Sequence, residues 1–274
     1  MSANSNIAWC DDTFNIVWGC TPVDGDCKNC YADRLDSRYH ADNPHWGKNA
    51  PRMLLSDTYW KQPLKWNKEA ESIGIKRKVF CSSMGDVFED NEIVDSQRLR
   101  LWDLIRQTPN LIWQILTKRP ERIIDHLPEF WDEIRSRVWL GTSIGSQQSI
   151  ERLAALITPI QSGIKFISLE PLHGEIMLPF NDFVDNGHKV CDLIDWVIVG
   201  GESGNETGKY RYRRCELQWI ERIVSDCQDQ NIPVWVKQMG THLAKELKLK
   251  HRHGADISEF PAHLQIQQFP NFTM

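Results

Sequence analysis

Seven apolar, β-branched runs recur along the chain, each bounded by turn residues, and most are followed by a helical pattern. They are NIVWGC (15–20), KVFCSS (78–83), LIWQILT (111–117), VWLGTSI (138–144), KFISLEP (165–171), DWVIVGG (195–201) and PVWVKQM (233–239). Runs that are apolar at consecutive positions read as strands covered on both faces, as parallel strands under helices are. Helical periods lie between them. CYADRLDSRYH follows the first run, and SQRLRLWDLIRQ (96–107) offers Ser96 as N-cap with Leu99, Trp102 and Ile105 on one face. PERIIDHL and EFWDEIRSR follow the third run, SQQSIERLAALIT (146–158) the fourth and CELQWIERIVSDCQDQ (215–230) the sixth. Such alternation with short connections builds right-handed βαβ units on a parallel sheet. The expected fold is α/β, a full or partial (β/α) TIM-like barrel, with a doubly wound open sheet as the main alternative.

Two stretches break the rhythm. Residues 41–76 form a helical insertion between the first helix and the second strand, and the end of the chain is a polar, basic and then proline-containing tail. This divides the chain into a barrel domain over 1–240, insertion included, and a C-terminal extension over 241–274 packed on it. The length of 274 residues suits one such barrel.

In a barrel of this kind, chemistry gathers at the C-terminal ends of the strands. Those ends carry Cys20 and its loop, then SSMGDVFED, TKRPER, TSIGSQQ, LEPLHGE, GGESGNE and KQMG. They are polar and glycine-rich, so a polar site is expected at the barrel mouth. Gly200 and Gly201 would let backbone approach a ligand, with Glu202 or Ser203 touching it; a tight turn is the plain alternative. Lys237 and Gln238 end the last strand and could face substrate. KYRYRR (209–214) alternates cations with tyrosines, so Tyr210, Arg211 and Arg213 are candidates for gripping a phosphate backbone and stacking bases. The second basic run, KELKLKHRHG, reads as surface, His251 and His253 included. A net charge of −5 argues against a protein that coats nucleic acid but leaves room for a local basic groove. The twelve tryptophans are expected mostly in barrel packing, some as stacking platforms. No apolar run reaches the roughly 18 residues that span a bilayer, and MSANSNIAWCDD lacks the features of a signal peptide, so a cytoplasmic location without membrane contact is expected.

A reducing cytoplasm makes a tight group of cysteines metal-binding or catalytic. Of eight cysteines, Cys20, Cys27 and Cys30 stand at spacing C-x6-C-x2-C, while Cys81, Cys191, Cys215 and Cys227 are scattered and read as plain thiols. Three thiols are one short of a structural zinc site, which would need Cys10, His40 or His45 as fourth ligand. A [4Fe–4S] cluster explains the count better, because three thiolates leave one iron open to a small molecule.

A three-cysteine loop after the first strand of a (β/α) barrel resembles the radical S-adenosylmethionine superfamily, whose usual first gap is three residues where this chain has six. The closer likeness is to the spore-photoproduct-lyase-like branch, whose loop resembles N-x-x-x-G-C…C-x-x-C-Y-A-x-R. Here Asn15, Gly19, Cys20, Cys27, Cys30, Tyr31, Ala32 and Arg34 stand in that order. The whole chain is most similar to a narrower family of phage and bacterial proteins, through QPLKW, SMGDVF, LTKRP, WLGTSI, SLEPL, VIVGGESG, VWVKQMG and the tail.

The resemblance implies a [4Fe–4S] cluster on Cys20, Cys27 and Cys30, S-adenosyl-L-methionine as co-substrate, and a 5′-deoxyadenosyl radical that takes a hydrogen atom from substrate. It implies Ser83 and Asp86 as acceptors for the methionine ammonium, and Thr117, Lys118, Ser143 and Glu170 as partners of the ribose and carboxylate. Tyr31 would pack near the adenine or in the first-helix core, Glu170 could instead form a structural salt bridge, and Lys118–Arg119 could be a solvated pair. The implied partner is a flavodoxin- or ferredoxin-type reductant. The implied reaction is modification or repair of a nucleic-acid base or nucleotide. Two other readings stay open: a radical enzyme acting on a peptide or small metabolite, and a non-enzymatic phage-type binding protein stabilised by zinc or iron–sulfur. Oligomeric state is left open.

Overall fold

The computed structural model describes residues 5, 7–157, 160–184 and 187–272. Its strands in chain order are β1 (Asp12–Thr13), β2 (Val17–Trp18), β3 (Met53–Leu54), β4 (Arg77–Cys81), β5 (Leu111–Thr117), β6 (Val138–Ser143), β7 (Ile164–Leu172), β8 (Trp196–Gly201) and β9 (Val234–Gln238). Seven of them form one parallel sheet in the order β1-β4-β5-β6-β7-β8-β9, curled into a partial barrel. The order follows the chain without a reversal. A doubly wound sheet would need a switch point where the order turns back, so that alternative falls. Among the described residues no ladder joins β1 to β9, and the barrel stays open.

The helices are α1 (Tyr31–Tyr39), α2 (Asp57–Trp60), α3 (Gln62–Ile73), α4 (Glu92–Arg106), α5 (Trp131–Ile134), α6 (Glu151–Ile157), α7 (Leu217–Asp229) and α8 (Gly240–Glu246). The insertion holds α2 and α3, and α3 stops on Gly74 in the left-handed region, where glycine meets no Cβ penalty. None of these helices is long and apolar enough to cross a membrane.

Period-two alternation sorts the strands' side chains into two cores. Val79, Trp113, Ile115, Leu140, Ile167, Val197, Val199 and Val236 join the large cluster that includes the buried faces of the helices. Phe80, Ile112, Trp139, Phe166, Trp196, Ile198 and Trp235 form a second, aromatic cluster with Trp9. Trp196 is its hub, with ring centroids 5.6–6.3 Å from Trp9, Trp139, Phe166, Trp235 and Phe269. Such tilted and edge-on pairs add about 0.5–1.5 kcal/mol each beyond area burial. Many of the tryptophans therefore serve packing, as expected. The tail bonds the outer edge of β9, Val236 N–H donating to Ile266 and Gln268 N–H to Val234. That covers a strand edge otherwise open to pairing.

Several elements differ from expectation. NIVWGC is not the first sheet strand. The sheet takes Asp12 and Thr13, opposite Val79 and Phe80, and the following run leaves it to pair antiparallel with Met53–Leu54. Asn15 causes the departure: its amide oxygen accepts from Ser82 Oγ (2.8 Å) and Met84 N–H (2.6 Å), a side-chain bracket where a strand would use backbone. Helix α4 starts earlier than Ser96. Asn91 caps it, accepting from Ile93 and Val94 N–H, and Ser96 bonds back to the Ile93 carbonyl. Leu99 is 67% exposed, because the buried stripe runs through Val94, Leu101, Trp102 and Ile105. PERIIDHL forms only 3-10 turns, and EFWDEIRSR is reduced to the single turn of α5 and a further 3-10 turn. The pattern over 146–158 becomes a 3-10 turn and α6; its last residue lies outside the described residues.

Candidate active site

A cavity of about 730 Å³ opens where β4 to β9 end. Its wall takes Ser83 from beyond β4, Thr117, Lys118 and Arg119 from the end of β5, Ser143 from β6, Glu170 from β7, Gly201, Glu202 and Ser203 from β8, and Lys237 and Gln238 from β9. Trp9 and Phe80 of the aromatic core reach it from inside the barrel. Cys20, Cys27 and Cys30 face the same space, as do Tyr31 and Arg34.

The cysteine loop is held by buried polar groups at almost every step. Asp26, between Gly25 and Cys27, is 5% exposed. Its carboxylate meets His173 Nε2 at 2.7 Å and accepts from Arg152 Nη1 and Gly145 N–H, each at 3.0 Å. Burial alone would push that carboxyl up. Hydrogen bonds from His173, Ser149 and Gly145, with the charge of Arg152, outweigh it and hold the group well below the usual carboxylate range. Arg152 also pairs with Asp24. Asn29 Nδ2 donates to Glu202 (3.0 Å) and to the Arg211 carbonyl (2.8 Å). Arg213 reaches the Gly25 carbonyl at 2.7 Å while its Nη2 pairs with Glu202 at 2.6 Å. The insertion adds Arg52, which bonds Thr21 Oγ1 (2.7 Å) and the Glu89 carboxylate, itself the acceptor of Thr21 N–H. Gly19 is required here: its φ is +118°, and a Cβ would lie 2.4 Å from the His45 carbonyl oxygen.

Desolvation, with the carboxylates of Asp86 and Glu89 nearby, pushes the Cys20 thiol up, opposed by Arg119. Desolvation also raises Cys30. Arg119 Nη1 sits 3.9 Å from Cys20 Sγ and 2.9 Å from Asp86 Oδ2. Among the described residues, the one group of three or more histidine, cysteine or acidic side chains with donor atoms all within 4.8 Å of one another is Asp36, His40 and His45. Cys20, Cys27 and Cys30 do not form such a group. Three thiols on one loop facing one cavity are a donor set that a [4Fe–4S] cluster with one open iron could use. The fourth zinc ligands envisaged from sequence do not join it either. Cys10 packs with the aromatic core, its thiol pushed up to about 11 by burial, and His40 and His45 group with Asp36.

Other expected site residues divide between the cavity wall and its supports. Lys237 Nζ bonds both Glu170 oxygens at 2.7 Å, an ion pair on the cavity wall. Ser83 Oγ accepts from Asn15 Nδ2 at 3.1 Å, and its carbonyl accepts from Tyr31 O–H at 2.7 Å. Tyr31 thus ties α1 to the end of β4 and is no core residue of its helix. Gln238 donates to Ser203 Oγ and the Gly201 carbonyl. Asp86 spends its oxygens on Thr117 Oγ1 (2.7 Å), Phe88 and Lys118 N–H and Arg119, so it braces β4 against β5 rather than offering free acceptors. Glu202 is likewise saturated by Arg213 and Asn29.

Four expectations are corrected. Gly200 lies off the cavity wall, and both strand-end glycines serve close packing of β8 on its neighbour. A Cβ on Gly201 would lie 2.2 Å from the Met239 carbonyl oxygen. Gly201→Ala is expected to cost roughly 1–3 kcal/mol of stability by overpacking, read as a lower midpoint in urea. Tyr210 is 9% exposed with its hydroxyl 2.8 Å from Ser37 Oγ, so it is no stacking platform. Arg213 is committed to Glu202; of the KYRYRR candidates only Arg211 is exposed, with its carbonyl holding Asn29. His253 is half-buried on the cavity wall, Nδ1 at 2.7 Å from Thr241 Oγ1, rather than on the surface. Sequence reading passed over Asp26, Asn29, Arg152 and Arg119 as site-building residues. Position inside or just beyond a strand-end loop was their only signal, and their partners are up to 182 residues away.

A family model described as "Protein of unknown function (DUF5131)" matches residues 4–262. No curated protein matches the chain. Among solved structures it is similar to a double mutant of spore photoproduct lyase with bound AdoMet and dinucleoside spore photoproduct, at 12% identity over 81% of this chain and 62% of that one, TM-score 0.45. It is also similar to a cysteine-to-serine mutant of spore photoproduct lyase, at 13% identity over 73% and 58%, TM-score 0.46. The chain thus spans about three-fifths of the length of these structures.

Proposed function

The chain belongs to the DUF5131 family, and from that premise we propose that it is a radical S-adenosylmethionine-type enzyme. One observation carries the reading: three thiols from one heavily braced loop face the same cavity as the strand ends of a parallel partial barrel. In this reading Cys20, Cys27 and Cys30 hold a [4Fe–4S] cluster, and S-adenosyl-L-methionine lies in the cavity beside it. A cluster held there would supply the electron for reductive cleavage of a bound sulfonium, the chemistry that hydrogen-atom abstraction needs.

The chain's own residues orient and shield. Arg119 stands near Cys20 Sγ and supplies positive charge to a thiolate there. Asp86 and Thr117 hold Arg119 and Lys118 in place, so their role is positioning. The Glu170–Lys237 pair offers a carboxylate to a ligand's ammonium or hydroxyls and an ammonium to its carboxylate. Ser83, Ser143 and Gln238 add neutral hydrogen-bonding groups. The volume is that of a small-molecule site, and Trp9 and Phe80 give it an apolar side that excludes water.

The proposed substrate is a nucleic-acid base or nucleotide. Supporting it are Arg34 and Lys118 on the cavity wall and exposed Arg211 in the segment behind the cysteine loop. A flavodoxin- or ferredoxin-type protein is the proposed reductant. Protein reconstituted anaerobically with iron and sulfide should be brown and, with strong reductant, convert S-adenosylmethionine to 5′-deoxyadenosine. A cluster-loaded preparation giving none would overturn the enzymatic reading. Crosslinking to oligonucleotides that Arg34→Ala weakens is the expected substrate result; no crosslinking would favour a peptide or metabolite.

A further inference from the structure

We propose that Asp36, His40 and His45 form a second metal site, separate from the cysteines, for a divalent first-row transition ion of the zinc type. Their ligand atoms lie within 4.8 Å of one another, and no cysteine belongs to the group. Asp36 and His40 are four apart at the end of α1, a spacing that puts both on one helix face. His45 returns from the insertion. Its Nδ1 is 2.8 Å from Asp36 Oδ1, a hydrogen bond that would open to about 3.3 Å if both atoms bound one tetrahedral ion through bonds of ~2.0–2.1 Å.

The burial pattern is that of a site rather than of a surface cluster. Asp36 is 0% exposed and His45 4%, while His40 is half-buried and closes the group toward solvent. A fully buried carboxylate needs a compensating positive charge. Among the described residues, the hydrogen bonds to the Asp36 carboxylate all come from His45, through its backbone N–H (2.7 Å) and its ring. The structure gives the His40 ring no hydrogen bond among the described residues; it meets the His45 ring edge-on at 4.9 Å and the Trp18 ring at 5.5 Å. Two imidazoles and one carboxylate make an N/O set that suits zinc, with a solvent-side position left for water.

The site's place explains its use. The His45 carbonyl presses on Gly19 and accepts from Arg52 Nη1 at 3.1 Å, and Gly47 N–H donates to the Cys20 carbonyl at 2.9 Å. An ion on Asp36, His40 and His45 would pin the insertion to α1 directly behind the first cysteine. The cysteine loop and α1 would then be fixed whether or not their own cofactor is loaded.

Cobalt(II) as a spectroscopic probe tests this on the full chain carrying Cys27→Ala and Cys30→Ala, so that the cysteine loop does not hold the ion, stripped of metal under anaerobic conditions. The expected result is one equivalent bound with visible d–d bands and without a sulfur-to-metal charge-transfer band, displaced by zinc. His40→Ala, at the solvent side where folding should survive, is expected to weaken binding by at least tenfold and to abolish the rise in melting temperature that zinc gives the parent protein. Circular dichroism checks that this variant is folded. Cobalt bound only with the sulfur band, binding unchanged in His40→Ala, or no cobalt bound at all would each overturn the site.

Discussion

Replacing Cys20, Cys27 or Cys30 singly by alanine should leave the anaerobically reconstituted protein colourless, with iron falling from about four atoms per chain to background. Cys191→Ala should keep its full iron content, since that thiol lies outside the cavity wall. The effect is expected to be all-or-none because the loop has no spare sulfur: Cys10 is buried in the aromatic core and Cys81 in β4. The uncomplexed Cys20 and Cys30 thiols are also raised by desolvation, so a stable thiolate there depends on the positive charge of iron. Iron and inorganic sulfide analysis reads the outcome. Full iron in any of the three variants would remove that residue from the ligand set, and one tightly held zinc in place of iron would remove the cluster.

Asp26→Ala should be the most damaging change that touches no ligand. It strips Arg152 and His173 of a shared buried carboxylate and frees the loop between Cys20 and Cys27. Breaking a buried pair by removing one partner costs about 3–5 kcal/mol, which for a chain of this size is a fall in melting temperature of roughly 10 °C. Asp42→Ala, an exposed position on the insertion, should stay within about 0.5 kcal/mol. The acid limb carries the same signature. Because the Asp26 carboxyl is lowered in the folded state, the unfolded chain binds its proton first, at an ordinary value of about 3.9. Its stabilisation is complete above that value and is lost as pH falls from there toward the lowered one. Parent protein should therefore lose stability more steeply than Asp26→Ala below about pH 4. Parallel acid limbs for the two proteins, or a variant as stable as the parent, would show that Asp26 does not anchor the loop.

The strands from β4 onward were legible because each combines β-branched and aromatic residues in a short run bounded by turn formers. LIWQILT, read from sequence, has the same bounds as β5. The first strand was misplaced for the same physical reason. NIVWG has the strand composition, but Asn15 competes for the backbone of the β4 end with its own side chain, and no propensity scale registers that contest. The start of α4 was misread because Ser96 has capping chemistry, yet Asn91 stands before an acidic first turn and takes the cap.

What the sequence determined by itself was local and periodic: a parallel α/β fold, polar strand ends, and one loop carrying three thiols. These follow from hydrophobic spacing and residue chemistry, which act over a few residues. Tertiary structure decided which polar groups support and which face the cavity. Tyr210 and Arg213 read as nucleic-acid contacts, but Tyr210 became a brace on α1 and Arg213 a prop for the cysteine loop. Arg119 read as a solvated cation but came to stand against Cys20. A buried charge is satisfied by whatever partner the fold brings to it, and Glu202 finds Asn29 across 173 residues of chain. No pattern in the sequence records a pairing at that distance.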